Sequence, residues 1–277
     1  MKDHIEIERL FKDDKKVHYD FSQSPALIEL HKKNTDQTFE KDHAAKWKKA
    51  QNEFLRWTKD RKVFPKRQVE DGKKIFDEYF KKRGYLQGNI LDVGGGWGLF
   101  REWWEERESN IFIVHDPGIE RFLRGPHKLH HDYYKRAFSL PMTFVEGFGE
   151  DLPYKDGIFD LYLIAATLDH CIWPQEIIRA AYRCIRPDGI ILIIQRCGPS
   201  GPLGDFVNIF RRLKAYLFKP ERFLRAFYRR LFYRDPHLHH FSIQGITALL
   251  EEAGFSKVRI EVISMAENIY AFEAQKR

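Results

Sequence analysis

Residues 89–104 read NILDVGGGWGLFREWW, and the fold turns on how this stretch is understood. An apolar run carries Asp92 near its end, the glycines Gly94, Gly95, Gly96 and Gly98 follow, and an aromatic-rich run comes next. The pattern predicts a short buried strand over 89–93, a glycine turn, and a helix over 97–108. Such a turn lets the backbone approach a ligand closely and presents helix N-terminal N–H groups to it. A dinucleotide fingerprint, G-x-G-x-x-G, requires a third glycine where the helix packs on the strand. Counted from Gly94 that place holds Leu99, and counted from Gly96 it holds Arg101, so the dehydrogenase reading fails on spacing. A carboxylate at the strand end would also repel a pyrophosphate. It suits a ligand that bears an ammonium group.

Outward from the turn, strands and helices alternate. IFIVHD (111–116), MTFVEG (142–147), FDLYLIAA (159–166) and IILIIQ (190–195) read as strands. Helices are expected over 118–137, with a break at Gly125-Pro126, over PQEIIRAAYRCI (174–185), and over SIQGITALLEEAGF (242–255). KVRIEVIS (257–264) and NIYAFEAQ (268–275) leave no room for a helix between them and should form an antiparallel hairpin. The expected fold class is therefore α/β, a Rossmann-like, doubly wound and mostly parallel sheet with an antiparallel C-terminal edge hairpin.

Asp92-x-Gly94-Gly95-Gly96-x-Gly98 resembles the first motif of the class I S-adenosylmethionine-dependent methyltransferases, acid-x-Gly-x-Gly-x-Gly. That donor carries an ammonium and a sulfonium and no phosphate. The run FVEGFGEDLPYKDGIFDLYLIAATLDHCIWPQEIIRAAYRCIRPDGIILII (144–194) is similar to the GDAEDLPF…FD…LHH…RVLKPGG run of the members that include the ubiquinone and menaquinone biosynthesis enzymes. The resemblance covers residues 85–195 in detail and implies S-adenosylmethionine as cofactor. Asp116, 24 residues after Asp92 and at the end of the second strand, suits the ribose hydroxyls. Where the family commonly has Gly-Asp near the adenine, this chain has Gly147-Phe148, so Phe148 is expected against the ring, with Gly149 and Glu150 supplying polar contacts. Ala165 completes the donor-binding set. Asp188 stands in a turn where the family prefers glycine.

The resemblance places the methyl acceptor at AATLDHCIW (165–173), where no Asn/Asp-Pro-Pro-Tyr sequence stands; that disfavours exocyclic base nitrogens and glutamine as acceptors. Asp169 and His170 are the candidates for a base and its orienting partner, since an imidazole titrates near neutrality. The plainer alternative is that His170 packs beside the pocket and bonds to backbone. PHKLHHDYY sets His127 and His131 four apart, and DPHLHH holds His237, His239 and His240. The groups lie far apart in sequence and lack glutamate or cysteine company, so no metal site is expected. His239 and His240 precede the last helix and are expected near the pocket mouth as acceptor contacts.

Two regions flank this core. Residues 1–85 are lysine-rich and form a helical N-terminal cap, with Trp47, Gln51, Phe54 and Thr58 on one helical stripe and Ile75, Phe76, Tyr79 and Phe80 on another that stops at Gly84. Residues 86–277 are the methyltransferase domain. Within it, 198–240 is an amphipathic, basic lid insertion of two helices, carrying nine basic and three acidic residues between 205 and 235. The insertion reads as a lid over the pocket, as a peripheral contact with an anionic membrane, or, with no recognised motif behind it, as a nucleic-acid appendage. Three cysteines without C-x-x-C spacing, a charged amino terminus and the lack of a long apolar run place the protein in the cytoplasm or at the membrane periphery. The expected function is methyl transfer to oxygen or carbon of a small or lipid-like acceptor, the alternatives being an RNA or protein methyltransferase or a non-catalytic S-adenosylmethionine-binding protein.

Overall fold

A computed structural model of the protein describes residues 16–20, 52, 66–107, 109–117, 128–140, 142–150, 152–198 and 237–277. The first amphipathic helix expected in the cap and nearly all of the basic lid lie outside the described residues, as do His127 and the ring of His131.

The strands are β1 (Lys16–Asp20), β2 (Ile90–Val93), β3 (Phe112–His115), β4 (Met142–Glu146), β5 (Phe159–Ala165), β6 (Ile185–Arg196), β7 (Ser256–Ser264) and β8 (Ile269–Gln275). They form one sheet in the order β1-β4-β3-β2-β5-β6-β8-β7. Every pairing from β1 to β6 is parallel, while β8 runs antiparallel to both β6 and β7. The doubly wound fold with its antiparallel terminal hairpin is as the residue pattern predicts. The parallel strand β1 inside the lysine-rich segment is not predicted by that pattern.

The helices are α1 (Lys66–Arg83), α2 (Lys128–Tyr133), α3 (Lys135–Ser139), α4 (Pro174–Cys184) and α5 (Ile243–Glu252). They divide between two apolar cores, one on each face of the sheet. On one face α4 and α5 bury Ile177, Ile178, Ala181, Ile246 and Leu250 against Val93, Tyr162, Ile164 and Ile193. On the other, α1 supplies Val69, Tyr79 and Phe80 to a core with Ile90, Trp103, Trp104 and Leu163, and Phe80 stacks on Trp103 at 4.8 Å. The cap helix therefore shares its core with the domain that follows it. Gly84 ends α1 at φ +96°, a conformation that costs glycine little, and its N–H reaches Phe80 O.

Two elements depart from expectation. The helix after the glycine turn is only a 3₁₀ segment, Leu99–Trp103. It stops because Trp104 turns extended and bridges Leu86: Leu86 N donates to Trp103 O and Glu105 N to Leu86 O, both at 2.8 Å. The 118–137 helix is represented, among the described residues, by the short α2 and α3. Arg186–Gly189 lies within β6, bulged out between the pairs Phe159↔Ile185 and Leu161↔Ile190, with Asp188 at φ +64° in the place the resemblance gives to glycine.

The glycine turn leaves the carboxyl end of β2, which pairs with β3 on one side and β5 on the other. Strand order reverses there, and that is where doubly wound sheets bind ligands.

Candidate active site

Four strand ends build the site. After β2, Gly94, Gly96 and Gly98 adopt φ values of +69°, +53° and +63°, which side-chain-bearing residues rarely take. Gly95 has an ordinary φ and is needed for another reason: a Cβ there would collide with the Asp92 carboxylate. A Cβ at Gly94 would strike Thr167, whose hydroxyl donates to Gly94 O at 3.1 Å and Ala165 O at 3.0 Å. The turn after β2 and the loop after β5 are thus locked together.

Arg101 holds the turn from behind. It is fully buried, and it donates to Gly98 O and Leu140 O at 3.0 Å and to Trp97 O at 3.4 Å. Burial lowers its guanidinium to about 9, a fall opposed by Asp92.

Asp92 is fully buried, and neither carboxylate oxygen has a hydrogen-bond partner. Burial pushes its carboxyl up to about 8, Asp116 adds to the rise and Arg101 opposes it. Asp116, just past β3, accepts from Gly96 N at 3.1 Å. A cationic ligand reverses this penalty, because an opposite charge close by favours the ionised carboxylate. The donor's chemistry fits these residues: an orphaned acid for the ammonium, glycines that admit the backbone, and a second acid for the ribose.

The segment after β4 is fixed from two sides. His115, at the end of β3 and fully buried, lies with Nε2 3.2 Å from Phe148 O and Nδ1 3.1 Å from the Tyr154 hydroxyl. A carbonyl only accepts, so Nε2 carries the proton and Nδ1 accepts from Tyr154. Glu150 Oε1 accepts from Ile172 N at 3.1 Å and Trp173 N at 3.4 Å, at the N-terminus of α4. That oxygen thereby braces the N-terminus of α4. Gly149 packs where a Cβ would meet Val93 and Ile177.

After β5, Ala165 gives way to Ala166 at φ +50°, a strained conformation for alanine, held by Ala166 N donating to Ile194 O at 2.7 Å. A 3₁₀ turn, Leu168–His170, then presents the predicted pair. Asp169 is 7% exposed, and its Oδ1 lies 3.9 Å from His170 Nε2. Cys171, next in line, is no nucleophile. Burial raises its thiol well above the ordinary range, with Glu150, Asp169 and Asp116 adding to the effect.

Residues 91–193 match the family model described as a methyltransferase domain. This domain is similar to those of the class I S-adenosylmethionine-dependent methyltransferases of the type 11 group. The chain is 29% identical over 174 residues to a rice (Oryza sativa subsp. japonica) 2-methyl-6-phytyl-1,4-hydroquinone methyltransferase 2, chloroplastic, a match covering 62% of this chain and 43% of the relative. It is 26% identical over 187 residues to the ubiquinone/menaquinone biosynthesis C-methyltransferase UbiE of Pseudomonas paraeruginosa, covering 63% and 68%. The chain spans about two-fifths of the length of the rice relatives it matches. Among solved structures, a chain of the complex between the Haloferax volcanii Trm112 methyltransferase activator and a methyltransferase shares the fold. Its TM-score is 0.50 at 12% identity, covering 80% of this chain and 97% of that one. The methyltransferase domain of residues 91–193 indicates S-adenosylmethionine as the cofactor.

Of the residues predicted for the site, Asp92, the four glycines, Asp116, Ala165, Asp169 and His170 come together at the strand ends, Phe148 joins them through His115, and Gly149 packs against Val93. Residue pattern alone does not single out His115, Thr167 or Arg101, because each works through backbone atoms that no motif marks. Nor does it single out His237 within DPHLHH. The fold sets the ring of His237 on that of His170, with centroids 4.8 Å apart, whereas His240 is exposed.

Proposed function

We propose that the protein transfers a methyl group from S-adenosylmethionine to carbon or oxygen of a lipid-like, hydroxyl-bearing aromatic acceptor of the quinol type. The observation that carries donor binding is the buried, partnerless carboxylate of Asp92 beside a turn built for close backbone approach. Support for the acceptor class comes from the hydroquinone and quinone-biosynthesis relatives, and from the absence of an Asn/Asp-Pro-Pro-Tyr sequence after β5.

When bound, the donor supplies an electrophilic methyl group. The chain's own residues position the reactants and exclude water, which is most of what an in-line displacement needs. Asp92 and the Gly96 N–H···Asp116 contact orient the donor, and the ring of Phe148 is assigned to the adenine face. Asp169 and His170 meet the acceptor's hydroxyl and lower the cost of removing its proton, which raises electron density on the oxygen and on the ring carbons conjugated with it. No described helix is long and apolar enough to cross a membrane. A greasy acceptor would therefore be reached from the lipid surface, and the basic, aromatic segment 205–235 has the composition for that contact.

The test is incubation of the full chain with methyl-labelled S-adenosylmethionine and chemically reduced prenylated benzoquinols and naphthoquinols in anionic micelles, without oxygen. Label in the extracted quinol supports the reading. Label entering only the RNA or protein of an added cell extract, with every quinol unlabelled, refutes the acceptor assignment.

A further inference from the structure

Asp169 is tied to a segment 69 residues further along the chain. Its backbone oxygen accepts from Leu238 N at 2.7 Å and His239 N at 3.1 Å. This stitching brings His237 Nε2 to 3.5 Å from Asp169 Oδ2, while His170 Nε2 stands 3.9 Å from Oδ1. The three side chains place one ligating atom each within 4.8 Å of one another.

As an ion-pair cluster the arrangement is poor. Both Nε2–oxygen separations exceed hydrogen-bond length, and Asp169 Oδ1 is buried without a hydrogen-bond partner on a residue that is 7% exposed. Two imidazoles converge on one carboxylate, yet its Oδ1 stays without a hydrogen bond. A divalent ion among the three would. Nitrogen and oxygen ligands sit about 2.0–2.2 Å from a zinc-like ion, so tetrahedral ligand atoms lie about 3.4 Å from each other. The observed spacing closes to that value by small side-chain rotations.

We propose that Asp169, His170 and His237 hold a divalent transition-metal cation of the zinc class beside the methyl-acceptor pocket. Two imidazoles select such an ion over magnesium or calcium, which take oxygen ligands. Three protein ligands leave a coordination position open, as catalytic rather than structural sites do. This deepens the function proposed above and rests on it: the open position receives the acceptor's hydroxyl oxygen. The O–H bond then breaks heterolytically, the proton leaves to water, and the oxygen keeps the electron pair under the cation's charge. Asp169 and His170 thus act on the hydroxyl through the ion they hold. The pairwise spacing of histidines in the sequence could not reveal this, since the ligands come from LDH and DPHLHH.

The experiment uses the full chain, stripped with a chelator and titrated with Co²⁺ as an optically visible stand-in for Zn²⁺. One equivalent of a saturable d–d absorption, abolished by competing Zn²⁺, is expected. His237→Ala and Asp169→Asn should each weaken cobalt affinity by at least about a hundredfold, given that outer partners of ligands alone cost 10–100-fold. His240→Ala should leave the titration unchanged, and circular dichroism should confirm that each variant is folded. A wild-type chain with no saturable spectrum, or a spectrum that survives both ligand substitutions in folded protein, overturns the site. Calorimetry with S-adenosylhomocysteine on the metal-free chain reads the donor pocket separately. Binding of that product without cobalt binding defeats the cation site and spares the methyltransferase reading. Cobalt binding that depends on His237 in a chain that ignores the product does the reverse.

Discussion

Replacing Asp92 by Asn should change how the protein exchanges protons when it takes up its cofactor. In the free protein the Asp92 carboxyl is pushed up to about 8 by burial and by Asp116. At pH 7 the site is therefore about 0.9 protonated. The ammonium of S-adenosylmethionine favours the ionised form, so binding should expel most of one proton at pH 7 and about half at pH 8. Isothermal titration in buffers of different ionisation enthalpy measures this directly, as the slope of observed enthalpy against buffer enthalpy. In Asp92→Asn the proton release should vanish and affinity should fall by about 1.5–3 kcal/mol, the worth of a hydrogen bond to a charged group. Stability of the ligand-free protein supplies the second half of the argument. An unfolded Asp ionises near its ordinary value of 3.8, while the native one keeps its proton to about 8. Native stability is thus lost as pH rises between those values, by about 4 kcal/mol at pH 7 at 1.36 kcal/mol per pH unit. Asp92→Asn should flatten that slope in denaturant titrations and leave stability near pH 4 almost unchanged. A wild-type enthalpy independent of buffer at pH 7, together with parallel stability-versus-pH curves for wild type and variant, would refute the account.

Two further substitutions read the surrounding scaffold. Gly95→Ala drives a methyl into the Asp92 carboxylate and should destabilise the fold by about 1–3 kcal/mol, seen in Tm, while abolishing calorimetric binding of S-adenosylhomocysteine. Glu150→Gln removes the charge facing the N–H groups of Ile172 and Trp173, and should cost about 0.5–2 kcal/mol in chemical denaturation with little change in donor affinity. Equal losses of affinity and stability in Glu150→Gln would instead assign that carboxylate to the adenine.

What the residues disclose by themselves follows from where the information sits. The glycine turn was legible because its constraint is local: positive φ at Gly94, Gly96 and Gly98 and the acid ahead of them leave a mark in the sequence. Parallel strands buried on both faces show as continuous apolar runs, and the closing hairpin shows because two such runs stand a few residues apart. The helix expected after the turn failed for a reason no window could contain, since Trp104 leaves it to bridge Leu86, 18 residues earlier. Strand β1 is hidden likewise, because its pairing partner lies beyond 140. The acceptor side divides the same way. Asp169 and His170 are neighbours in sequence and readable together, but the contribution of His237 depends on backbone bonds from the loop ahead of α5 to Asp169 O.

The parallel pairing of Lys16–Asp20 with Met142–Glu146 bears on how this protein can be handled. A fragment begun at residue 86 would strip β1 away, bare the unpaired peptide groups of β4, and uncover the apolar surface that Val69, Tyr79 and Phe80 now shield. An open strand flank beside naked hydrophobic area is a template for neighbouring molecules, so the shortened enzyme would be a self-associating one. Lys16–Asp20 and the helix Lys66–Arg83 thus cover surfaces that would otherwise draw molecules of this kind together.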